Sequence, residues 1–255
     1  MDLGIKGRKA IVCASSRGLG AGCARALAQA GCDLVLNGRD ADVLTRTAQD
    51  IRERWGVNVA EVPGDVSQPA IQEALLAAAP NPDILVNNNG GPPRRDFREL
   101  DREAILRGVI GNMVTPFELV KSVIDGMAER GFGRIVNITS LSVYVPIAGL
   151  DLSSAARAGL TSFLNGIAKE VAARNVTINN LLPGKLDTDR LRGGPAPTGE
   201  TEEERRARLS ADIPAKRLGT PDEFGQACAF LCSAHAGYIT GQNLRIDGGL
   251  YPSAF

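Results

Sequence analysis

Residues 9–20 read KAIVCASSRGLG, an apolar run from Lys9 to Ala14 that passes into a glycine-bearing turn, Ser15 to Gly20. Helical periodicity then covers Leu19 to Ala30 and stops at Gly31. A strand, a turn and a helix in that order bring the helix N-terminus, with its unpaired N–H groups, to the carboxyl end of the strand. Gly18 and Gly20 let a phosphate approach the backbone there, so the turn is a candidate nucleotide-phosphate site. Its spacing is not GxGxxG, and taken alone it also fits an ordinary tight turn.

The same alternation continues outward from this unit. Asp33 to Asn37 (DLVLN), Asn58 to Val62, Asp83 to Asn87 (DILVN), Gly133 to Thr139 (GRIVNIT), Thr177 to Leu182 and Asn243 to Ile246 read as strands. Between them, helical patterns cover Ala41 to Trp55, Pro69 to Ala79, a long stretch from Arg102 to Glu129, Leu152 to Arg174 and Pro221 to Ser233. Apolar strands alternating with helices imply an α/β fold: a doubly wound parallel sheet of Rossmann type with helices on both faces. Residues 186–218 break the rhythm. Gly193 to Gly199 (GGPAPTG) is loop chemistry, and Thr201 with Glu204 makes a capping box that opens a charged helix. An insertion after a late strand is expected to be a substrate flap over the carboxyl ends of the strands; a plain surface loop is the alternative.

With 255 residues and 44% hydrophobic content, the chain is expected to form a single domain, 1–255. Lys plus Arg and Asp plus Glu both number 29, so there is no global pull toward nucleic acid or an anionic membrane. No apolar run approaches the roughly 18 residues of a membrane span. The first residues, MDLGIKGRKAIV, lack the apolar core of a signal peptide, and a cytoplasmic protein is expected. The five cysteines are an odd number without a CxxC, and His235 is the single histidine. Neither a disulfide framework, nor a metal site, nor a His-dependent triad is expected.

Further landmarks follow the turn in order, and with them the chain resembles the short-chain dehydrogenase/reductase family over essentially its whole length. The family's TGxxxGxG turn corresponds to Cys13 through Gly20, with Cys13 and Ala14 replacing the leading Thr and Gly. Its NNAG appears as Asn87, Asn88, Asn89 and Gly90, its adenine-side Asp as Asp65 followed by Val66, its PG and Thr as Pro183, Gly184 and Thr188, and its last strand as Asn243 to Gly249. The resemblance implies a nicotinamide dinucleotide lying along these landmarks, with Ala14, Ser16, Arg17, Gly18, Leu19 and Gly20 forming its phosphate turn. The second strand ends in LVLNGRD: Asn37 takes the place where a carboxylate would bind the NAD ribose and repel a 2′-phosphate, and Arg39 follows. Arg39 and Arg17 both attract such a phosphate, so NADP(H) is expected over NAD(H). Solvated arginines, one offset by Asp40, are the alternative.

The family's Asn, Ser, Tyr, Lys tetrad is matched at two positions, Asn112 and Ser140. Where Tyr-xxx-Lys should open the next helix, the chain reads Ser153-Ser154-Ala155-Ala156-Arg157. The spacing of four keeps both side chains on one helix face. Arginine keeps the charge and can hold the nicotinamide ribose but releases no proton, and serine is a far weaker acid than tyrosine. Tyr144, in the loop after Ser140, is a second candidate for the vacant place, against packing near Val143, Val145 and Pro146. Asp151 is expected to cap the Ser154 amide. In the loop after the fourth strand, Arg94 and Arg95 orient an anionic substrate or carrier arm, or are solvated.

The pattern resembles divergent 3-oxoacyl-(acyl carrier protein) reductases. The leading expectation is an NADP(H)-dependent oxidoreductase that interconverts a carbonyl and a secondary alcohol, on a small molecule or an acyl thioester. The rival is a catalytically weak NADP(H)-binding regulator or sensor, and a lyase or isomerase on the same fold is a third reading. The resemblance also implies a homotetramer, to which the stripe Leu152, Leu160, Phe163, Leu164, Ile167 and Val171 contributes unless it is core.

Overall fold

The computed structural model describes residues 1–194 and 197–253. Pro195 and Ala196, within the expected flap, lie outside the described residues. Seven strands, β1 (Lys9–Val12), β2 (Asp33–Gly38), β3 (Val59–Pro63), β4 (Ile84–Asn87), β5 (Gly133–Ile138), β6 (Val176–Pro183) and β7 (Asn243–Ile246), form one sheet in the order β3-β2-β1-β4-β5-β6-β7. Every neighbouring pair is parallel.

Both faces of the sheet are covered, which is why its strands read as continuous apolar runs. Successive residues alternate between two cores: Ala10, Val12, Leu34 and Leu36 face one, Ile11, Val35, Leu85 and Ile135 the other. The first core is closed by helices α1 (Gly18–Gln29) and α2 (Ala41–Trp55), and the second by α3 (Pro69–Ala78). The expected long helix from Arg102 to Glu129 is in fact two, α4 (Arg102–Val109) and α5 (Thr115–Glu129), joined by a π-helical turn over Ile110–Val114. Next come α6 (Asp151–Val171), which packs with α5 on the second core, the short α7 (Asp189–Arg192), α8 (Glu202–Ser210) and α9 (Pro221–Cys232). α9 lies on α1 in the first core, at a crossing made possible by Gly22 and Gly225, where a Cβ on either would overlap the other helix's backbone.

Two local expectations change. Asp151 does not cap α6: it is the first helical residue, Leu150 occupies the cap, and the Ser154 amide bonds the Leu150 carbonyl at 2.9 Å. The stripe on α6 divides, with Leu160 and Leu164 in the core and Phe163 exposed. The capping box Thr201/Glu204 forms as the spacing predicts. No helix among the described residues is long and apolar enough to cross a membrane.

Candidate active site

The strand order reverses between β1 and β4, so the loops leaving these two strands part and open a crevice at their carboxyl ends. On one side lies the turn Cys13 to Gly20. Ala14 adopts φ +44° and Gly18 φ +58°, and a Cβ on Gly20 would overlap the Ala14 carbonyl. Ser15, fully buried, fastens the turn: its Oγ donates to Val12 O (2.8 Å) and accepts the Asn37 amide (3.1 Å). The Ser16 carbonyl accepts the Thr47 hydroxyl at 2.8 Å, and Leu19 packs on the first core.

Asn37 is 1% exposed, and its side-chain amide serves the framework. Its Oδ1 accepts the Ala14 amide (3.2 Å), and its Nδ2 donates to the carbonyls of Val62 (3.0 Å) and Gly64 (3.1 Å). Arg39 lies exposed beyond it, its Nη2 3.8 Å from the point where a Cβ on Gly90 would stand, so it reaches across the crevice. Arg17 pairs with Asp40 at 3.2 Å, the offset that the sequence allowed for. Asp65 accepts the amide and hydroxyl of Ser67 (2.9 and 2.8 Å), and Val66 is buried.

The other wall is the loop after β4. Asn88 donates to the Ala14 carbonyl at 3.2 Å and so ties the two loops together. Asn89 Nδ2 donates to Gly111 O (2.8 Å), while its Oδ1 accepts the Gly90 amide (2.8 Å). Thr188, which caps α7, stands over the phosphate turn: its Cγ2 is 3.7 Å from where a Cβ on Gly18 would be. Pro183 ends β6, and the Gly184 amide bonds Ile246 O (3.0 Å) at a spot where Asp247 leaves no room for a side chain.

At the far end, Ser153 and Arg157 meet on α6, a helix that also packs against the turn after Ser140 and against the π-helical turn that carries Asn112. Ser140, just past β5, accepts the Ser142 amide at 3.1 Å, which leaves its own O–H free to donate. Ser153 and Arg157, one turn apart on α6, are buried at 5% and 8% exposure. Arg157 donates from Nε to Ser153 Oγ (3.2 Å), from Nη1 to Ile138 O (2.6 Å) and from Nη2 to Asn89 O (3.4 Å). Burial, with Arg190's charge in addition, lowers this guanidinium to about 10, still protonated at neutral pH. Asn112 sits in the π-helical turn, seated by Met113 against Gly159. Its Nδ2 donates to Gly108 O (3.3 Å), and its buried Oδ1 has no hydrogen-bond partner among the described residues. A single widened turn of this kind re-aims one side chain inside a helix.

Tyr144 is turned elsewhere. Its hydroxyl accepts Asn243 Nδ2 at 2.8 Å and its ring packs on Tyr251, 5.5 Å between centroids. This bond ends a ladder that sequence reasoning missed. Asn87, Asn137, Asn180 and Asn243 are in register on β4 to β7, and each Nδ2 donates to the next Oδ1 at 2.9, 3.1 and 2.8 Å. The readable signal is an asparagine in each of four strands, late in β4 and β5, mid-strand in β6 and first in β7.

Comparisons with known proteins bear on the family and the fold. The family model described as enoyl-(acyl carrier protein) reductase matches residues 13–251. The 3-oxoacyl-(acyl-carrier-protein) reductase of Vibrio cholerae is 34% identical over 98% of this chain and 99% of its own length. Among solved structures, the L-sorbose reductase of Gluconobacter frateurii, complexed with NADPH and L-sorbose, superposes with a TM-score of 0.93 at 28% identity, covering 99% of this chain and 100% of that one. A 3-oxoacyl (acyl-carrier-protein) reductase from Agrobacterium tumefaciens with NADP bound gives 0.88 at 28% identity over 97% and 96%. By sequence over nearly its whole length, and by fold, the chain belongs to the short-chain dehydrogenase/reductase family and is similar to its 3-oxoacyl-(acyl-carrier-protein) reductases.

Proposed function

We propose that the protein is an NADP(H)-dependent oxidoreductase that interconverts a carbonyl and a secondary alcohol, on a small molecule or an acyl thioester, with Ser153 and Arg157 in the places of the family's Tyr and Lys. The observation that carries it is the Arg157 Nε to Ser153 Oγ bond, on a helix packed against the turn after Ser140 at the far end of the crevice. The crevice fits the cofactor on its own terms. The turn, packed so tightly that a Cβ on Gly20 would overlap the Ala14 carbonyl, sets the N-terminus of α1 at the crevice, and Arg39 forms no ion pair among the described residues and is free for a 2′-phosphate. The NADPH and NADP named for the two solved structures support the same choice.

When bound, the nicotinamide supplies or takes the hydride. The chain's own groups handle the oxygen. Ser140, its acceptor side held by the Ser142 amide, aims its O–H at the carbonyl oxygen. Ser153 donates the proton: a hydroxyl that already accepts from a guanidinium is a stronger acid, because the cation stabilises the alkoxide left behind. Arg157, anchored on two strand-end carbonyls, stays charged and holds Ser153 in place, with its remaining N–H groups for the ribose. Asn112 offers an open buried acceptor to a water that restores the proton.

Residues 186–218 form the flap. Leu186 and Gly219 bridge at its base, Asp187 takes Arg192 and Arg206, and Arg190 of α7 reaches over to the β4 loop. A homotetramer built on the long helices and the edge strand is supported by exposed Phe163 and Leu244, and a cytoplasmic location by five unpaired cysteines.

Two variants test the reading. Ser140→Ala lowers turnover with cofactor binding intact, and Arg39→Ala weakens NADPH binding by about tenfold or more while leaving NADH unchanged. Firm NADPH binding with no oxidation by any carbonyl would favour the regulatory reading, which the placement of Tyr144 also supports.

A further inference from the structure

Three guanidinium groups from separate elements converge on consecutive residues of the β4 loop. Arg157 bonds the Asn89 carbonyl, Arg39 lies against Gly90, and Arg190 donates to the carbonyls of Gly91 (2.9 Å) and Pro92 (3.1 Å). Arg94, on the same loop, reaches Ala148 O at 3.5 Å. None of the four has an acidic partner among the described residues. The contrast within the flap is direct: Arg192, two residues from Arg190, pairs with Asp187 at 3.0 Å, whereas Arg190 meets backbone oxygens.

Cations held this close repel one another, and a buried one without a counter-charge is costly. The mutual effect is visible. Burial and then Arg190 lower Arg157, and burial and then Arg94 lower Arg190. Bound cofactor would answer Arg39, just past the second strand, and Arg157, which bonds Ser153. Arg190 of α7 and Arg94 of the β4 loop would keep no counter-charge. The carbonyls that anchor Arg157 and Arg190, those of Asn89 and Gly91, are two residues apart, a span of at most about 7 Å.

We propose that the substrate carries its own oxyanion, a carboxylate or a phosphate, which Arg190 and Arg94 bind at the mouth of the crevice so that the carbonyl is presented to Ser140 and Ser153. This rests on the carbonyl chemistry proposed above. A bidentate guanidinium contact at Arg190 would replace its two carbonyl bonds.

Two matched pairs of probes test it by calorimetry at fixed ionic strength: 3-oxobutanoate against its methyl ester, and dihydroxyacetone phosphate against dihydroxyacetone. Each is titrated into the full chain, with and without saturating NADP+. At least one anion is expected to bind tenfold or more tightly than its neutral partner, and whichever does identifies carboxylate or phosphate. Arg190→Gln, and independently Arg94→Gln, should each reduce that preference several-fold, with the NADP+ affinity within twofold of wild type. Equal binding within both pairs, no binding by any probe at millimolar concentration, a preference that survives both substitutions, or a loss at Arg190→Gln that falls on NADP+ instead would overturn the proposal. Failure of wild-type protein to bind NADP+ would overturn the cofactor reading alone, and the unloaded titrations would still decide this one.

Discussion

Ala14 takes a backbone conformation that glycine holds at no cost, φ +44°, in the turn where the family pattern has glycine. The left-handed region penalises an L side chain by about 1–2 kcal/mol, and glycine gives back roughly 0.5–1 kcal/mol in chain entropy. Ala14→Gly should therefore raise stability by about 0.5–1 kcal/mol, read as a higher urea midpoint at unchanged slope. The residue scale is also where the sequence was least transparent. Asn37 lies at the end of β2, as the apolar run predicts, but nothing in the LVLNGRD pattern tells that its amide braces Ala14, Val62 and Gly64. Tyr144 likewise had two readings until Asn243, a partner 99 residues away, entered. Hydrogen bonds of this kind depend on which strands become neighbours, and local periodicity carries no such information.

Elements were legible to within a residue or two wherever caps and glycines punctuated them, as for α2, which ends at Gly56 in the left-handed conformation. The exception is the break at Ile110–Val114: Gly108, Gly111 and Pro116 stand at it, but a helical pattern tolerates isolated glycines, and the widened turn keeps the apolar periodicity close to that of one continuous helix. The start of α9 lends itself to a test. Thr220 and Glu223 form a reciprocal capping box, and Arg217 bonds the same carboxylate. Arg217 first, then the Thr220 amide, pull Glu223 down to about 2. A depressed carboxyl contributes stability that is fully present above its ordinary value of 4.5 and is lost as pH falls through 2. The stability gap between wild type and Glu223→Gln should thus hold at pH 5 to 7 and close between about pH 4.5 and 2, as followed by thermal melts. Thr220→Ala should cost about 1 kcal/mol across the whole range.

At the scale of the whole molecule, the fold was readable because the alternation of strands and helices admits few arrangements, and the sheet order with its crevice between β1 and β4 follows. The two cores enclose all five cysteines, and burial pushes the Cys13 and Cys32 thiols up to about 12. Native protein should leave all five unreactive toward a thiol reagent such as dithionitrobenzoate, with five modified per chain after denaturation; a fast-reacting thiol in the native state would mean the core opens locally. The central claim is that a serine braced by an arginine does the work usually given to tyrosine and lysine. It is tested most directly by steady-state NADPH oxidation with a short 3-oxoacyl thioester, comparing wild type, Ser153→Ala and Tyr144→Phe at saturating NADPH. Ser153→Ala is predicted to lower kcat about 100-fold with NADPH affinity unchanged, while Tyr144→Phe stays within about twofold of wild type. Undiminished turnover in Ser153→Ala, or its collapse in Tyr144→Phe, would contradict the account.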